Sequence, residues 1–176
     1  MIFQRYLTLP LVQVVVVATT IICLSTRSEA ETTADMCKET DYPGVCSTAL
    51  QDVKTGGGFE DATSVAIQAS IAQINQAKSK VLSLMKTETE EGKLFLDVCR
   101  EVYQDALDNL TACDSDLKEK SRGGLEDKLS SALSDIGTCD DTLNETTNLA
   151  SAPPVLKYND VIEKLVTDAL ALASKI

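Results

Sequence analysis

FLDVCREVYQDALDNLTACDSDL, residues 95–117, is the stretch on which the fold turns. Phe95, Cys99, Val102, Ala106, Leu110, Cys113 and Leu117 follow one another at steps of three or four. That spacing puts them on one face of a helix. Three further stretches repeat it. The first has Ile67, Ile71, Ile74, Ala77, Val81 and Leu84; the third has Leu125, Leu129, Ala132, Ile136, Cys139 and Leu143; the fourth has Tyr158, Ile162, Leu165, Ala169, Leu172 and Ile176. No stretch alternates as a strand would. Gly123-Gly124 reads as the break between the second and third helices, and Ser151-Ala-Pro-Pro154 as the break between the third and fourth. Thr87-x-x-Glu90 resembles a capping box opening the second helix. Short links favour antiparallel neighbours, so the expected fold is all-α, an up-down-up-down four-helix bundle.

Ahead of the bundle, Cys37-Lys-Glu-Thr-Asp-Tyr-Pro-Gly-Val-Cys46 suits a helical hairpin stapled at its base. Pro43 falls just inside the second short helix, where its missing N–H costs nothing. Gly56-Gly57-Gly58 then interrupts the chain. Residues 1–30 read as a signal peptide: Arg5, an apolar run from Leu7 to Leu24, and Ser28-Glu29-Ala30 as a cleavage site. An uncleaved membrane anchor is the rival reading; the polar residues and cleavage site that follow at once favour removal. One domain, residues 31–176, remains, with no membrane attachment after cleavage.

Whole-chain charge is 16 basic against 27 acidic residues. Removing Arg5, Arg27 and Glu29 leaves 14 against 26, a net of −12. Such a chain repels nucleic acid and anionic headgroups and attracts basic partners. It contains no histidine, hence no imidazole base and no histidine metal ligand. No G-x-S-x-G, P-loop or complete calcium loop is present, and tryptophan is absent. No catalytic residue, cofactor or metal site is expected.

Cys37, Cys46, Cys99, Cys113 and Cys139 follow the signal and imply two bridges and one leftover thiol in an oxidising compartment. Cys99 and Cys139 sit at core positions of neighbouring helices, where a bridge would tie the second to the third. Loop closure gives ~4 kcal/mol for such a loop and ~3 kcal/mol for a Cys37–Cys46 loop. Cys113 reads as a small buried core residue; a reactive or intermolecular thiol is the alternative, though no histidine or dense basic cluster is there to lower its pKa. Sequons at Asn109 and Asn144 offer glycosylation sites and fit a secretory route. On the second helix Glu101, Asp105 and Asp108 share an arc of about 60°, centred about 130° from the apolar stripe. Three carboxylates thus line an outward face; a merely solvated face is the plain alternative.

Taken in order, Cys37-x8-Cys46 with Tyr42-Pro43, Cys99-x-Glu101-x-Tyr103-x-Asp105-Ala106-x-Asp108, Ser130-Ser131-Ala132-Leu133 and Thr138-Cys139-x-Asp141 resemble the plant invertase/pectin methylesterase inhibitor family. The resemblance covers nearly all of residues 31–176. It implies a four-helix bundle with an N-terminal hairpin and the bridges Cys37–Cys46 and Cys99–Cys139, with Cys113 free. It also implies secretion to the apoplast and cell wall. There the chain would inhibit a cell-wall enzyme in a reversible, stoichiometric complex covering the enzyme's substrate cleft, with Glu101, Asp105, Asp108 and Thr138 in the contact surface. Invertase inhibitors of this fold often carry Pro-Lys-Phe before the third bundle helix; here Arg122-Gly123-Gly124 stands there. Pectin methylesterase is therefore the expected target and invertase the alternative. A helical carrier or interaction protein without an enzyme target is a third reading. The end of the sequence at Ile176 suggests a free-standing inhibitor.

Overall fold

A computed structural model describes residues 32–51, 57–145, 149 and 151–176. The proposed signal peptide lies outside them. Among the described residues there are six helices and no strand: α1 (Thr33–Lys38), α2 (Pro43–Ala49), α3 (Phe59–Leu84), α4 (Glu90–Glu119), α5 (Arg122–Asn144) and α6 (Ala152–Ala173). The four long helices pack in a ring, α3 on α4, α4 on α5, α5 on α6 and α6 back on α3. Short α1 and α2 form the hairpin, which rests on α6 and α3.

Periodicity dictates which faces turn inward. All six apolar positions of the third sequence pattern, from Leu125 to Leu143, are buried on α5. On α4 the buried stripe is Leu96, Cys99, Tyr103, Ala106, Leu110 and Cys113, so Phe95 and Val102 sit at its edge and Tyr103 at its centre. A tyrosine reads as a boundary residue because its hydroxyl needs a partner; the fold supplies one from α6.

Helix starts differ from the sequence reading at three places. Thr89, not Thr87, caps α4, its side chain accepting from Gly92 N–H at 3.1 Å. Thr87 instead donates to Leu84 O at 3.2 Å in the turn that closes α3. Gly123 and Gly124 lie inside the first turn of α5, and the chain reverses one step earlier at Lys120, whose φ is 54°. A Cβ at Gly124 would collide with the Asp116 carboxylate unless that side chain moved. Asp116 is nearly buried and pairs with Lys128, which binds the end of α4 to α5. Ala152, Pro153 and Pro154 form the first turn of α6 rather than a break; proline fits there because that turn leaves N–H groups unused.

Two disulfides, Cys37–Cys46 and Cys99–Cys139, join α1 to α2 and α4 to α5. Cys113 is a buried free thiol, and burial pushes its pKa up to about 11.

Candidate functional site

The inward stripe of α4 forces Glu101, Asp105 and Asp108 outward, and all three are exposed. Glu101 Oε1 lies 3.5 Å from Arg100 Nη2, whose Nε is 2.7 Å from Asp97. Asp108 Oδ1 accepts from Gln104 Nε2 at 2.8 Å. Asp105 has no cation partner among the described residues. Thr138 is exposed on the adjacent α5, its hydroxyl donating to Ser134 O at 2.9 Å. The three carboxylates thus share one helix face, and Thr138 stands on the neighbouring helix.

The seam between α4 and α5 continues the acidic character. Half-buried Asn109 donates through Nδ2 to Asp135 Oδ2 at 3.1 Å. Burial raises the Asp135 pKa; the Asn109 bond opposes that rise and the Asp105 charge adds to it. Asn144, the other sequon asparagine, is exposed at the last turn of α5.

Two polar constructions escaped the sequence reading. In the first, fully buried Tyr103 donates its hydroxyl to Asn159 Oδ1, and Asn159 Nδ2 donates to Asp140 Oδ1, both at 2.5 Å. One amide therefore joins α4, α5 and α6 beside the Cys99–Cys139 bridge, whose Cys139 Sγ lies 3.3 Å from Asn159 Nδ2. Asp140 also shares a hydrogen bond with Glu163, and both carboxyls are raised above their usual range, first by burial. In the second, Asp168 is 1% exposed and accepts the Tyr42 N–H at 2.9 Å, fixing the start of α2 to α6. Burial raises its pKa against that hydrogen bond. Lys175–Glu39 at 2.9 Å and Lys164 Nζ, 5.8 Å from the Tyr42 ring centre, also tie the hairpin to α6. A signal existed for both: Asp168 stands three residues after Leu165 and four before Leu172, a carboxylate on the apolar stripe itself, and Asn159 stands three before Ile162.

Chemically, the exposed face offers acceptors and negative charge. Among the described residues no group of three or more cysteines or acids is placed to hold a metal ion, and no helix is long and apolar enough to cross a membrane.

The described residues thus form a disulfide-stapled hairpin on a four-helix bundle with an acidic outer face on α4. The profile of the family described as plant invertase/pectin methylesterase inhibitor matches residues 31–172. The chain belongs to that family, which is one of inhibitors rather than catalysts. It is 27% identical over 157 residues to an Arabidopsis thaliana protein provisionally named pectinesterase/pectinesterase inhibitor 26, covering 80% of this chain and 16% of that protein. It is 28% identical over 109 residues to a Platanus orientalis protein provisionally named an invertase inhibitor, covering 61% and 63%. The chain thus spans less than two thirds of each of these relatives. Among solved structures, a mutant form of an Arabidopsis pectin methylesterase inhibitor matches with a TM-score of 0.70 at 20% identity, over 82% of this chain and 96% of that one. An Arabidopsis thaliana pectin methylesterase inhibitor matches at 0.62 and 22%, over 81% and 93%. At these identities the likeness establishes the shared bundle fold.

Proposed function

We propose that this chain is a secreted inhibitor of pectin methylesterase. It would act in the apoplast through a reversible one-to-one complex that covers the enzyme's substrate cleft. The observation that carries the reading is the exposed face of Glu101, Asp105 and Asp108 on a chain of the inhibitor family. Thr138 on the next helix extends that surface. Invertase is the second reading, favoured by the Platanus orientalis relative's name. Secretion by cleavage after Ala30 belongs to the same proposal, as do glycans at Asn109 and Asn144. Exposed Asn144 is the better placed, because the Asn109 amide is engaged by Asp135.

The test is a parallel titration of the secreted protein against a pectin methylesterase and an acid invertase. Inhibition of the esterase saturating near one inhibitor per enzyme, reversible on dilution, supports the assignment; inhibition of invertase alone transfers it to the second reading. No effect on either at micromolar concentration removes both. Exposed charges steer association, so the triple variant E101Q/D105N/D108N is expected to associate more slowly with the target. Salt should weaken the wild-type complex more than the variant, since ions screen exposed charges over about 8 Å at physiological strength. Equal rates and equal salt dependence would reduce this face to a solvated one.

A further inference from the structure

The cations of this acidic protein are unevenly neutralised. Nine of the thirteen described lysines and arginines stand within 4 Å of a carboxylate: Lys38, Lys93, Arg100, Lys118, Lys120, Arg122, Lys128, Lys164 and Lys175. The four left over are Lys78, Lys80, Lys86 and Lys157, and all lie on α3, in the turn after it, or near the start of α6. From Ala62 to Lys86 the sequence contains no acid at all, although the chain has 27. Another acid-free run, Leu149 to Tyr158, opens α6, which packs against α3. Lys78 turns to α4, its Nζ donating to Gln104 Oε1 at 2.5 Å, which leaves Lys80 and Lys157 as the basic strip on the α3–α6 side.

Two open hollows mark this strip, and Tyr158 borders both. Gln73, Pro153, Pro154 and Lys157 complete one, and Asn75, Gln76, Ser79 and Lys80 the other. Both are shallow and widely open to solvent, with volumes of about 430 and 480 Å³. The lining has a definite chemistry. Lysines provide charge for an anion, amides and a hydroxyl provide donors and acceptors, and the tyrosine and proline rings provide flat apolar surfaces. No acid lines either hollow, and the apolar lining is confined to the proline and tyrosine rings. Two hollows sharing one ring, both open to solvent, suit successive units of a polymer better than a single enclosed molecule.

We propose that the α3–α6 groove binds a carboxylate-bearing polysaccharide, with Lys80 and Lys157 pairing with uronate carboxylates and Tyr158 stacking on a sugar ring. Lys86, in the turn that follows α3, adds a further charge at that end of the helix. This surface is distinct from the α4 face assigned to the enzyme target, and the inference does not depend on which enzyme that is.

The experiment uses the secreted protein and an end-labelled polygalacturonate oligomer, with fluorescence anisotropy as readout and no enzyme present. Failure here therefore leaves the inhibition assay untouched. Saturable binding that weakens with salt is expected, together with at least a tenfold loss in K80Q/K86Q/K157Q. Tyr158→Leu keeps apolar bulk and should also lose affinity, whereas E101Q/D105N/D108N should not. The fully methyl-esterified oligomer, which lacks the charges, should fail to bind. Undiminished binding by the lysine variant would overturn the proposal. So would polyglutamate binding as tightly as polygalacturonate with Tyr158→Leu unaffected, because the strip would then select charge alone, as a surface for an acidic protein does.

Discussion

Asp168 shows how much one buried carboxylate decides. It is the acceptor for Tyr42 N–H at the start of α2, and burial holds its pKa above the ordinary 3.8. A carboxyl whose folded pKa exceeds its unfolded pKa disfavours folding at neutral pH, where it must be charged in both states. That penalty is relieved as pH falls through the folded pKa and is gone below the unfolded one. Asp168→Asn keeps an acceptor without the charge. It should therefore match or exceed wild-type stability at pH 7 and lose that advantage near pH 4. Asp168→Ala leaves the Tyr42 amide without its partner and should cost about 1–3 kcal/mol in urea unfolding at pH 4, with faster hydrogen exchange at Tyr42. Cys113 makes a second residue-scale point. Its thiol, lifted to about 11 by burial, should resist alkylation at pH 8 in the native protein and react promptly in denaturant.

Between elements, polar contacts set how the helices meet. Asn159 on α6 satisfies Tyr103 on α4 and Asp140 on α5. Asn159→Leu should cost about 1–3 kcal/mol in chemical denaturation, since it leaves the buried Tyr103 hydroxyl unpaired. Across the same α5–α6 seam, Asp140 and Glu163 are hydrogen-bond partners, with Asp141 and Asp160 adding repulsion and Lys164 opposing it at Glu163. A proton shared by the pair removes that repulsion, and both carboxyls titrate above their unfolded values. Their contribution to stability therefore improves as pH falls through the raised values and levels off below about 4. Glu163→Gln should raise the melting temperature by a few degrees at pH 7 and by little near pH 4. Melting curves of both proteins across that range check the sign. Such a seam is illegible in sequence because Asp140 and Glu163 are 23 positions apart, and solvated acids are the ordinary expectation on amphipathic helices.

For the molecule as a whole, the two disulfides act at different lengths. Cys99–Cys139 closes a separation of 40 residues and Cys37–Cys46 one of 9. Chain-entropy arithmetic assigns about 4 kcal/mol to the first and about 3 kcal/mol to the second. Cys139→Ala should therefore unfold at clearly lower denaturant than Cys46→Ala. Both cysteines are packed core positions, so the gap should follow the loop term.

The sequence by itself determined the four long helices, their inward faces and the outward carboxylates of α4. Helical periodicity is a local property, and burying an apolar stripe stabilises whatever fold covers it. Even the offset at Tyr103 keeps the same period. Only the tertiary structure decided the polar pairings. Tyr103 meets Asn159 across 56 residues and Tyr42 meets Asp168 across 126, and nothing in either neighbourhood specifies the other. The same holds at Gly124, where a Cβ would meet Asp116 on another helix, and for the four lysines that packing leaves without a carboxylate. A hydrogen bond or an ion pair needs one particular partner at one distance and angle, whereas hydrophobic burial needs only a covering surface. That is why the bundle could be read along the chain, while its polar ties and its basic strip emerge only where distant helices meet.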